Sequence, residues 1–367
     1  MKIIFQHFII KYIDWKFRKR SPFLIVFTAS AFLLGALVGI GGLFGKISYQ
    51  GYVFQISQSD TAAASVINFL IVLLTAALGL SLIVLIIEFA IERISASKRK
   101  HFVIEGRGLR DDDGLSLSKS IGTTLFFKSR IVPYTLDLRQ GADGKIKEPE
   151  LLIPKISAVK ESVNQARAGS GKENLDVYYG GLTAVPLTFL TGVELDDEGT
   201  ILVYDWDRTS ERWRALDGLD DGLRLEEPDL DAISLSKNIV LAVSVSYPVI
   251  DTDLSTSFKI PVVSVKLDGM SSSSHWSADK QAALADQFFE TTKKLSALGV
   301  EHIHLVLAAP NSVVFNFGRR YDKRNLPDIT VYQYERLLKT KYPWGVRMPV
   351  GETESACVEY ITQAIID

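Results

Sequence analysis

Two long uncharged stretches dominate the first quarter of the chain. No residue between Arg20 and Lys46 is charged, and a second uncharged run lies between Asp60 and Glu88. A helix needs about 20 apolar residues to cross about 30 Å of hydrocarbon, and both stretches are long enough. A cleaved signal peptide is a poor alternative for the first, because its apolar run is too long and twenty residues precede it. The predicted segments are a first span at 22–45, an external loop at 46–65 and a second span at 66–92.

Basic residues lie on one side of both predicted spans. Six precede the first span: Lys2, Lys11, Lys16, Arg18, Lys19 and Arg20. Four follow the second: Arg93, Lys98, Arg99 and Lys100. Lys46 is the one basic residue in the loop between the spans. The positive-inside rule therefore predicts that both termini are cytoplasmic. Residues 1–21 form a basic segment with an apolar stripe, which predicts an amphipathic helix in the inner headgroup layer.

Glycines of the first span are candidates for membrane assembly. Gly35 and Gly39 are four residues apart, as are Gly41 and Gly45. Small residues at this spacing let helix backbones approach closely in lipid, although glycine is also frequent in membrane helices for other reasons. Two spans are too few to enclose a pore, so any pore would need several copies of the chain.

The charge distribution excludes several functional classes. Residues 1–100 hold 11 basic and 4 acidic side chains, whereas residues 101–367 hold 30 and 39, a net charge of −9. An acidic body is not typical of proteins that bind a DNA or RNA duplex, and we expect no such partner. The single cysteine, Cys357, excludes a disulfide framework and a thiolate zinc cluster.

No catalytic motif is present in the sequence. His302 and His304 alternate on a predicted strand, but no carboxylate or thiolate stands at a spacing that would complete a zinc site. The GxSxG, Walker and HExxH motifs are missing as well. We therefore expect no metal, no cofactor and no enzymatic activity, with slow cleavage of a bound ligand left open.

The remaining two-thirds of the chain has an α/β pattern. Residues 93–148 are rich in turn signals and charge, and we interpret them as a juxtamembrane connector. From residue 149 onwards, helical periodicities alternate with short apolar runs, which predicts parallel sheets covered by helices. The predicted strands are 176–179, 201–204, 239–247, 258–267, 302–307 and 329–334, and the predicted helices are 151–168, 186–191, 278–298 and 310–320.

An internal repeat divides residues 149–367 into two halves. The segment ILVYDWDR, which begins at Ile201, matches ITVYQYER, which begins at Ile329, with an offset of 128 residues. Upstream of each segment lie a strand, a turn of small residues and a helix that Gly192 or Gly318 closes. The repeat predicts a pseudo-dimer of two similar halves with a cleft between them.

The turns at the strand ends are the predicted ligand site. In open α/β sheets, ligands bind beyond the carboxyl ends of the strands, where helix N-termini attract anions. The turn residues are Gly181, Leu182 and Thr183 in one half and Ala309, Pro310, Asn311 and Ser312 in the other. Base stacking is the role predicted for Trp206, Tyr332 and Tyr334, and hydroxyl contacts for Ser244 and Ser246. The candidate cations are Arg208, Arg319, Arg320 and Arg336. For each of these side chains, the alternative to a ligand contact is a role in ordinary packing or a position on the surface.

The segments HLVLAAPNSVVFNFGRRY and ITVYQYE, preceded by IVLAVSVSYPV, resemble the SAVED domain. The resemblance implies a fusion of two CARF-like, Rossmann-like units that senses a cyclic di-, tri- or tetranucleotide in bacterial CBASS anti-phage systems. A two-helix transmembrane hairpin before a cytoplasmic sensor resembles the transmembrane effectors of that family. This implies a multi-pass protein of the bacterial inner membrane that forms homo-oligomers with its ligand and disrupts the lipid bilayer, which causes abortive infection. The alternatives are a membrane-anchored nucleotide-cleaving enzyme and a non-catalytic membrane adaptor with a degenerate α/β domain.

Overall fold

A computed structural model of the chain forms two compact units, residues 1–96 and 97–367. The residues that it describes are 22–41, 47–49, 52–54, 61–108, 116–124, 130–141, 144–169, 174–196, 199–230, 233, 236–351, 355–362 and 365–366. The predicted amphipathic segment 1–21 lies outside these residues.

The first unit consists of two apolar helices and a short hairpin. Helix α1 spans Pro22–Gly41, strands β1 (Ile47–Tyr49) and β2 (Tyr52–Phe54) pair antiparallel, and α2 spans Thr61–Lys98. Within α2, the 23 residues Phe69–Ile91 are apolar and long enough to cross a bilayer. The apolar stretch identified within α1, Pro22–Ala36, is shorter than a span.

The glycines of the first predicted span are only partly described. A Cβ placed on Gly35 would have no atom within 4 Å, so this position is open in the single chain. Gly39 and Gly41 belong to α1, and Gly45 lies outside the described residues. Their role in assembly stays a prediction.

The second unit contains two α/β halves. The elements of the first half are β3 (Lys100–Arg107), α3 (Leu117–Thr124), β4 (Arg130–Asp137), α4 (Ile153–Ala168), β5 (Leu175–Leu182), α5 (Val185–Glu194), β6 (Ile201–Asp207) and β7 (Arg212–Ala215). The elements of the second half are β8 (Asn238–Ser244), α6 (Asp251–Leu254), β9 (Phe258–Lys259), β10 (Val262–Lys266), α7 (Ala278–Ala297), β11 (His302–Ala308), α8 (Asn311–Arg320), β12 (Asp328–Gln333), β13 (Trp344–Arg347), β14 (Cys357–Tyr360) and β15 (Ile365–Ile366).

The first five strands of both sheets follow the same order, as the repeat predicts, and the second sheet has one strand more. The first sheet has the order β4-β3-β5-β6-β7, and the second has the order β10-β8-β11-β12-β13-β14. In each sheet the first four strands are parallel, and the strands that follow are antiparallel. The two small strands β9 and β15 pair with each other. This arrangement is the predicted pseudo-dimer of Rossmann-like halves.

The predicted connector contains two strands of the first sheet. The sequence analysis assigned residues 93–148 to a juxtamembrane connector, but β3 is a central strand that pairs with β4 on one side and β5 on the other. The charged run from Arg110 to Gly114 after β3, together with Pro133 inside β4, conceals this pattern. Proline is tolerated in β4 because β4 is the edge strand of its sheet. The first half of the fold therefore begins before residue 149.

One hydrophobic core joins the two halves. Its buried side chains come from the facing sides of both sheets and from the four helices α4, α5, α7 and α8. Helices α5 and α8 cross at glycines: a Cβ placed on Gly192 would lie 2.3 Å from Phe315 O, and one placed on Gly318 would lie 2.2 Å from Phe189 O. The glycines that the sequence suggested as helix ends thus permit helices α5 and α8 to approach each other closely.

Candidate ligand-binding site

Each sheet has one point at which its connections change direction. From β3 the chain crosses to β4 through α3 on one face, and then returns to β5 through α4 on the opposite face. From β8 it crosses likewise to β10 and then to β11. Ligands of open α/β sheets bind at such switch points, beyond the carboxyl ends of the two strands. The candidate sites are therefore the ends of β3 and β5 in the first half and of β8 and β11 in the second.

The first switch point is lined by glycines. A Cβ placed on Gly108 would lie 3.0 Å from Thr183 Cα, and one placed on Gly181 would lie 2.5 Å from the Tyr179 hydroxyl oxygen. A Cβ on Gly106 would lie 3.2 Å from Thr183 Cγ2. The strand ends thus pack closely against each other at these three glycines, all of which are buried. Thr183 itself is buried, and its Oγ1 lies 2.6 Å from Thr188 Oγ1.

Arg107 is the cation that sequence reasoning missed at this switch point. Its Nε donates to Glu105 Oε1 at 2.7 Å, and the other oxygen of that carboxylate accepts from Leu117 N at 2.9 Å. The side chain of Arg107 keeps 28% of its surface exposed. The signal for it was the glycine on each side of Arg107, with only Glu105 between this segment and the run HFVI.

The second switch point is held together by serine and backbone hydrogen bonds. Ser244 Oγ accepts from Val249 N at 2.9 Å and is 2% exposed, so it stabilises the turn after β8. The backbone N–H groups of Val245 and Ser246 both donate to Ala308 O at 3.0 Å. Ser246 Oγ donates to the same carbonyl at 3.2 Å and is half-buried. Of the two predicted hydroxyl contacts, Ser246 is the more accessible.

Asn311 joins the two switch points. Its Nδ2 donates to Gly181 O at 2.9 Å and to Thr183 O at 3.3 Å, so the two predicted turns are in direct contact. Leu182, Ala309 and Pro310 are half-buried beside them, whereas Ser312 is buried. The structure therefore brings together the turn residues that the sequence placed at the ends of β5 and β11.

The N-termini of α5 and α8 are occupied by side chains from the opposite half. Val185 N donates to Gln333 Oε1 at 3.1 Å, and Ser312 N donates to Asp205 Oδ2 at 3.1 Å. Gln333 and Asp205 occupy matching positions of the repeat, 128 residues apart. The sequence analysis expected the helix N-termini at these turns to attract an anionic ligand, but these two amides already have partners. Each half supplies a side chain that accepts a hydrogen bond from the helix N-terminus of the other half. The repeat alone does not reveal this contact.

The Asp205 cap brings a buried negative charge to α8. Asp205 is 4% exposed and also accepts from Trp206 N at 2.7 Å. His275 Nε2 lies 3.6 Å from its Oδ2. Burial lowers the pKa of His275, and the Asp205 carboxylate opposes that shift only in part. A helix N-terminus stabilises negative charge, and at α8 the protein itself supplies that charge.

Two of the three predicted stacking residues are core residues in this structure. Trp206 is 8% exposed and packs edge-on against Trp213, with ring centroids 5.5 Å apart. Tyr332 is 2% exposed, and its hydroxyl lies 2.9 Å from His304 Nδ1. Tyr334 is 40% exposed, and its hydroxyl donates to Asp253 Oδ2 at 3.0 Å. Of the three predicted stacking residues, only Tyr334 has a ring open to a base.

The predicted cations are dispersed. Arg208 and Arg336 are exposed in the segments after β6 and β12. Arg319 Nε donates to Leu195 O at 3.2 Å, and Arg320 pairs with Asp286 at 2.7 Å. Both lie in the last turn of α8, and ten helical residues separate the two helix ends by about 15 Å. Arg319 and Arg320 are therefore far from the strand-end turns. Within the described ranges, no three His, Cys, Asp or Glu side chains form a group suited to a metal ion.

Comparisons with known proteins match this architecture. Residues 157–348 match a family model described as the SMODS-associated and fused to various effectors sensor domain, SAVED. Residues 2–153 match the SAVED-fused 2TM effector domain. The second match indicates association with a membrane, and it extends through β3 and β4. Comparison with curated proteins finds no match.

Among solved structures, the chain is similar to SAVED/CARF-domain containing receptors. The Acinetobacter baumannii Cap4 receptor with the cyclic trinucleotide 2′3′3′-cAAA is 12% identical, with a TM-score of 0.45 over 76% of this chain and 59% of that one. The same receptor with 3′3′3′-cAAA is 15% identical, with a TM-score of 0.42 over 74% and 59%. A Moraxella osloensis Cap4 receptor is 13% identical, with a TM-score of 0.37 over 55% and 44%. Our chain thus spans less than two-thirds of the receptor chains it matches.

Proposed function

Since this chain belongs to the SAVED sensor family and begins with the two-span effector region of that family, we propose that it is a membrane effector of a CBASS anti-phage system. A cyclic oligonucleotide binds the sensor, the sensors assemble, and the membrane segments of the assembled chains disrupt the bacterial inner membrane. Both termini are cytoplasmic in this proposal, and no catalytic step is required.

The contact between the two switch points is the observation that carries the ligand class. Asn311 bridges from one strand end to the other, so the halves present one composite surface instead of two separate sites. A cyclic oligonucleotide repeats its sugar–phosphate unit, and a pseudo-symmetric surface suits a ligand that itself repeats. The partly exposed side chain of Arg107 supplies a local donor of the kind that an acidic domain needs to attract a polyanion.

The connection between membrane helix and sensor supports a role in signalling. Helix α2 ends at Lys98 and β3 begins at Lys100, so one residue separates them in the chain. Strand β3 carries Arg107 at its other end, beside the proposed ligand site. A ligand that moves the end of β3 therefore acts on the strand that continues into α2.

Dye release from vesicles tests the proposal against its alternatives. We expect the full-length chain in lipid vesicles to release dye only when one member of a panel of cyclic di-, tri- and tetranucleotides is added. A nucleotide-cleaving enzyme would consume the nucleotide without dye release. A membrane adaptor would neither consume the nucleotide nor release dye. Chromatography of the nucleotide after the assay separates these outcomes.

The glycines of the first helix test the assembly step. Gly35→Leu with Gly39→Leu keeps the helix apolar but prevents the close approach that small residues permit. We expect this double variant to insert and to bind nucleotide, but to lose dye release. Val26→Leu, which enlarges an exposed apolar residue of the same helix, is the matched control. Undiminished leakage from the glycine variant would show that these positions do not form the working interface.

A further inference from the structure

Strand β6 has an open edge along the first part of its length. Strand β7 pairs with β6 over Tyr204–Asp207, and no other strand of the described residues lies beside Ile201–Val203 on that side. After Ala215 the chain turns away from β6 towards the start of α7, where Leu216 O accepts from Ala278 N at 3.3 Å. An unpaired strand edge presents backbone N–H and C=O groups that can pair with another extended chain.

The departure of β7 leaves a groove of about 520 Å³ between β6, α7 and α8. The edge of β6 forms one wall, since the consecutive residues 200–204 all line the groove. Helix α7 contributes Ala278, Ala282 and Ala285, whose side chains are only methyl groups. The groove therefore combines an unpaired strand edge with small apolar side chains, which is a composition that suits an extended peptide.

The second half of the sensor shows what occupies the equivalent place. Strand β13 pairs antiparallel with Thr330–Gln333 of β12, and Met348 N extends this pairing by donating to Ile329 O at 2.8 Å. Thr330 is equivalent to Leu202 in the repeat. Thr330 is 0% exposed, whereas Leu202 is 46% exposed although it is apolar. The repeated topology thus covers this edge with an antiparallel strand in the second half, and the described residues of the first half leave it uncovered.

The groove is positively charged at the end where β6 begins. Arg319 and Arg320 line it together with one carboxylate, Asp286. Arg320 and Asp286 form an ion pair at 2.7 Å and remain 47% and 63% exposed. Arg319 Nη2 donates to Gly199 O, which places this end beside the first residue of β6. Because residues 101–367 have a net charge of −9, a local excess of positive charge is unusual on this domain. A strand antiparallel to β6 would have its C-terminal end here.

We propose that this groove binds the acidic C-terminal segment of a partner protein as an extended strand antiparallel to β6. Main-chain hydrogen bonds to the edge of β6 supply affinity, and alternate side chains of the peptide pack on the alanines of α7. The open part of the edge is about 13 Å long at about 3.3 Å per residue, so it holds about four residues of the peptide. Acidic groups at the C-terminal end of the peptide meet Arg319 and Arg320. Since these arginines are far from the strand-end turns, the groove is a second site beyond the proposed nucleotide site.

Selection from a library of random short peptides that are displayed with free C-termini tests the proposal on the full-length chain in detergent. We expect the enriched peptides to carry aspartate or glutamate at the C-terminal end and β-branched residues before it. The Kd of an enriched peptide is then measured by fluorescence anisotropy. Its counterpart with lysine in place of the acidic residue and with an amidated C-terminus should bind about 2- to 30-fold more weakly, which is the range that two exposed ion pairs provide.

Two groove variants, each with a matched control, locate the binding. Ala282→Leu fills the groove from an exposed position of α7 and should abolish peptide binding. Ala297→Leu, at an exposed position of the same helix outside the groove, should leave the Kd unchanged. Arg320→Ala should raise the Kd of the acidic peptide about 1.4- to 5-fold. Lys293→Ala removes a cation of α7 that does not line the groove and should have no effect on the Kd.

Three results would overturn the proposal. The first is a selection that enriches no peptide or enriches basic ones. The second is an unchanged Kd in Ala282→Leu, which would place the peptide outside the groove. The third is a loss of nucleotide-dependent assembly in Ala282→Leu without added peptide, which would assign the groove to a second copy of the chain. None of these results measures nucleotide binding, so failure of the peptide site is distinct from failure of the proposed function.

Discussion

Gly192→Ala should loosen the junction between the two halves of the sensor. The added methyl group would lie 2.3 Å from Phe315 O and 2.9 Å from Arg319 N, both of which are backbone atoms of α8. An ordinary contact between carbon and oxygen is about 3.3 Å or longer. Helices α5 and α8 would therefore have to separate by about 1 Å, and the shared core would separate with them.

The expected cost follows from two opposing contributions. Overpacking of a close-packed core costs about 1–3 kcal/mol, and the rigid backbone neighbours place this site at the upper end. Alanine is more favourable than glycine inside a helix by about 1 kcal/mol, which offsets part of that cost. The net loss is about 2 kcal/mol. Domains of 150–250 residues lose about 2–4 °C of melting temperature per kcal/mol, and larger domains lose less, so for the unit of residues 97–367 we expect a decrease of about 4 °C.

Differential scanning fluorimetry of the full-length chain measures this decrease. Gly169→Ala is the matched control, because the nearest atom to its Cβ would be 3.6 Å away and its φ of −81° suits alanine. Gly318→Ala should cost about as much as Gly192→Ala, since its Cβ would lie 2.2 Å from Phe189 O. The double variant should cost less than the sum, because one separation of the helices relieves both clashes. A Gly192→Ala melting temperature within 1 °C of the wild type would refute the close approach.

Two further predictions concern the sensor. Burial lowers the pKa of His304 from 6.5 to about 3, so its contribution to stability is complete above pH 6.5 and is lost as the pH falls from 6.5 towards 3. Between pH 7 and pH 5 this histidine alone should cost about 2 kcal/mol, and His304→Gln should flatten the slope of melting temperature against pH. A fragment of residues 149–367 should be insoluble or unfolded, because it lacks the central strand β3, whereas residues 97–367 should be soluble. Equal melting curves for the two fragments would contradict the sheet order.

The sequence predicted the second half of the fold more completely than the first. Strands β8, β11 and β12 are short buried apolar runs between clear helices, and their predicted positions are close to the observed ones. Strand β3 was missed because residues 93–148 also contain strong turn signals, and pairing in a parallel sheet leaves no local trace of its partner. The repeat could have indicated the omission, since each half needs a strand to match β8.

The sequence predicted the position of the turns that form the candidate site, but it did not predict which of their neighbouring side chains are exposed. The turns at Thr183 and Asn311 lie together, as strand order requires. Whether a ring at a strand end stacks on a base or fills the core depends on the next layer of the fold. Trp206 meets Trp213 from β7, and Tyr332 meets Phe258 from β9, and neither contact can be read from local spacing.

Departures from the pseudo-symmetry indicate that the two halves contribute differently to ligand binding. Where the backbone repeats, three equivalent positions differ in chemistry: Asp205 corresponds to Gln333, Tyr179 to Leu305, and the strand-end Arg107 to Ser244, as the strand pairing within each sheet shows. The negative cap is at α8. The cation, Arg107, is at the end of the first sheet. An anionic ligand should therefore be held more strongly by the first half. Because that half contains the strand that continues into α2, the stronger contacts would act on the part of the sensor that is joined to the membrane helix.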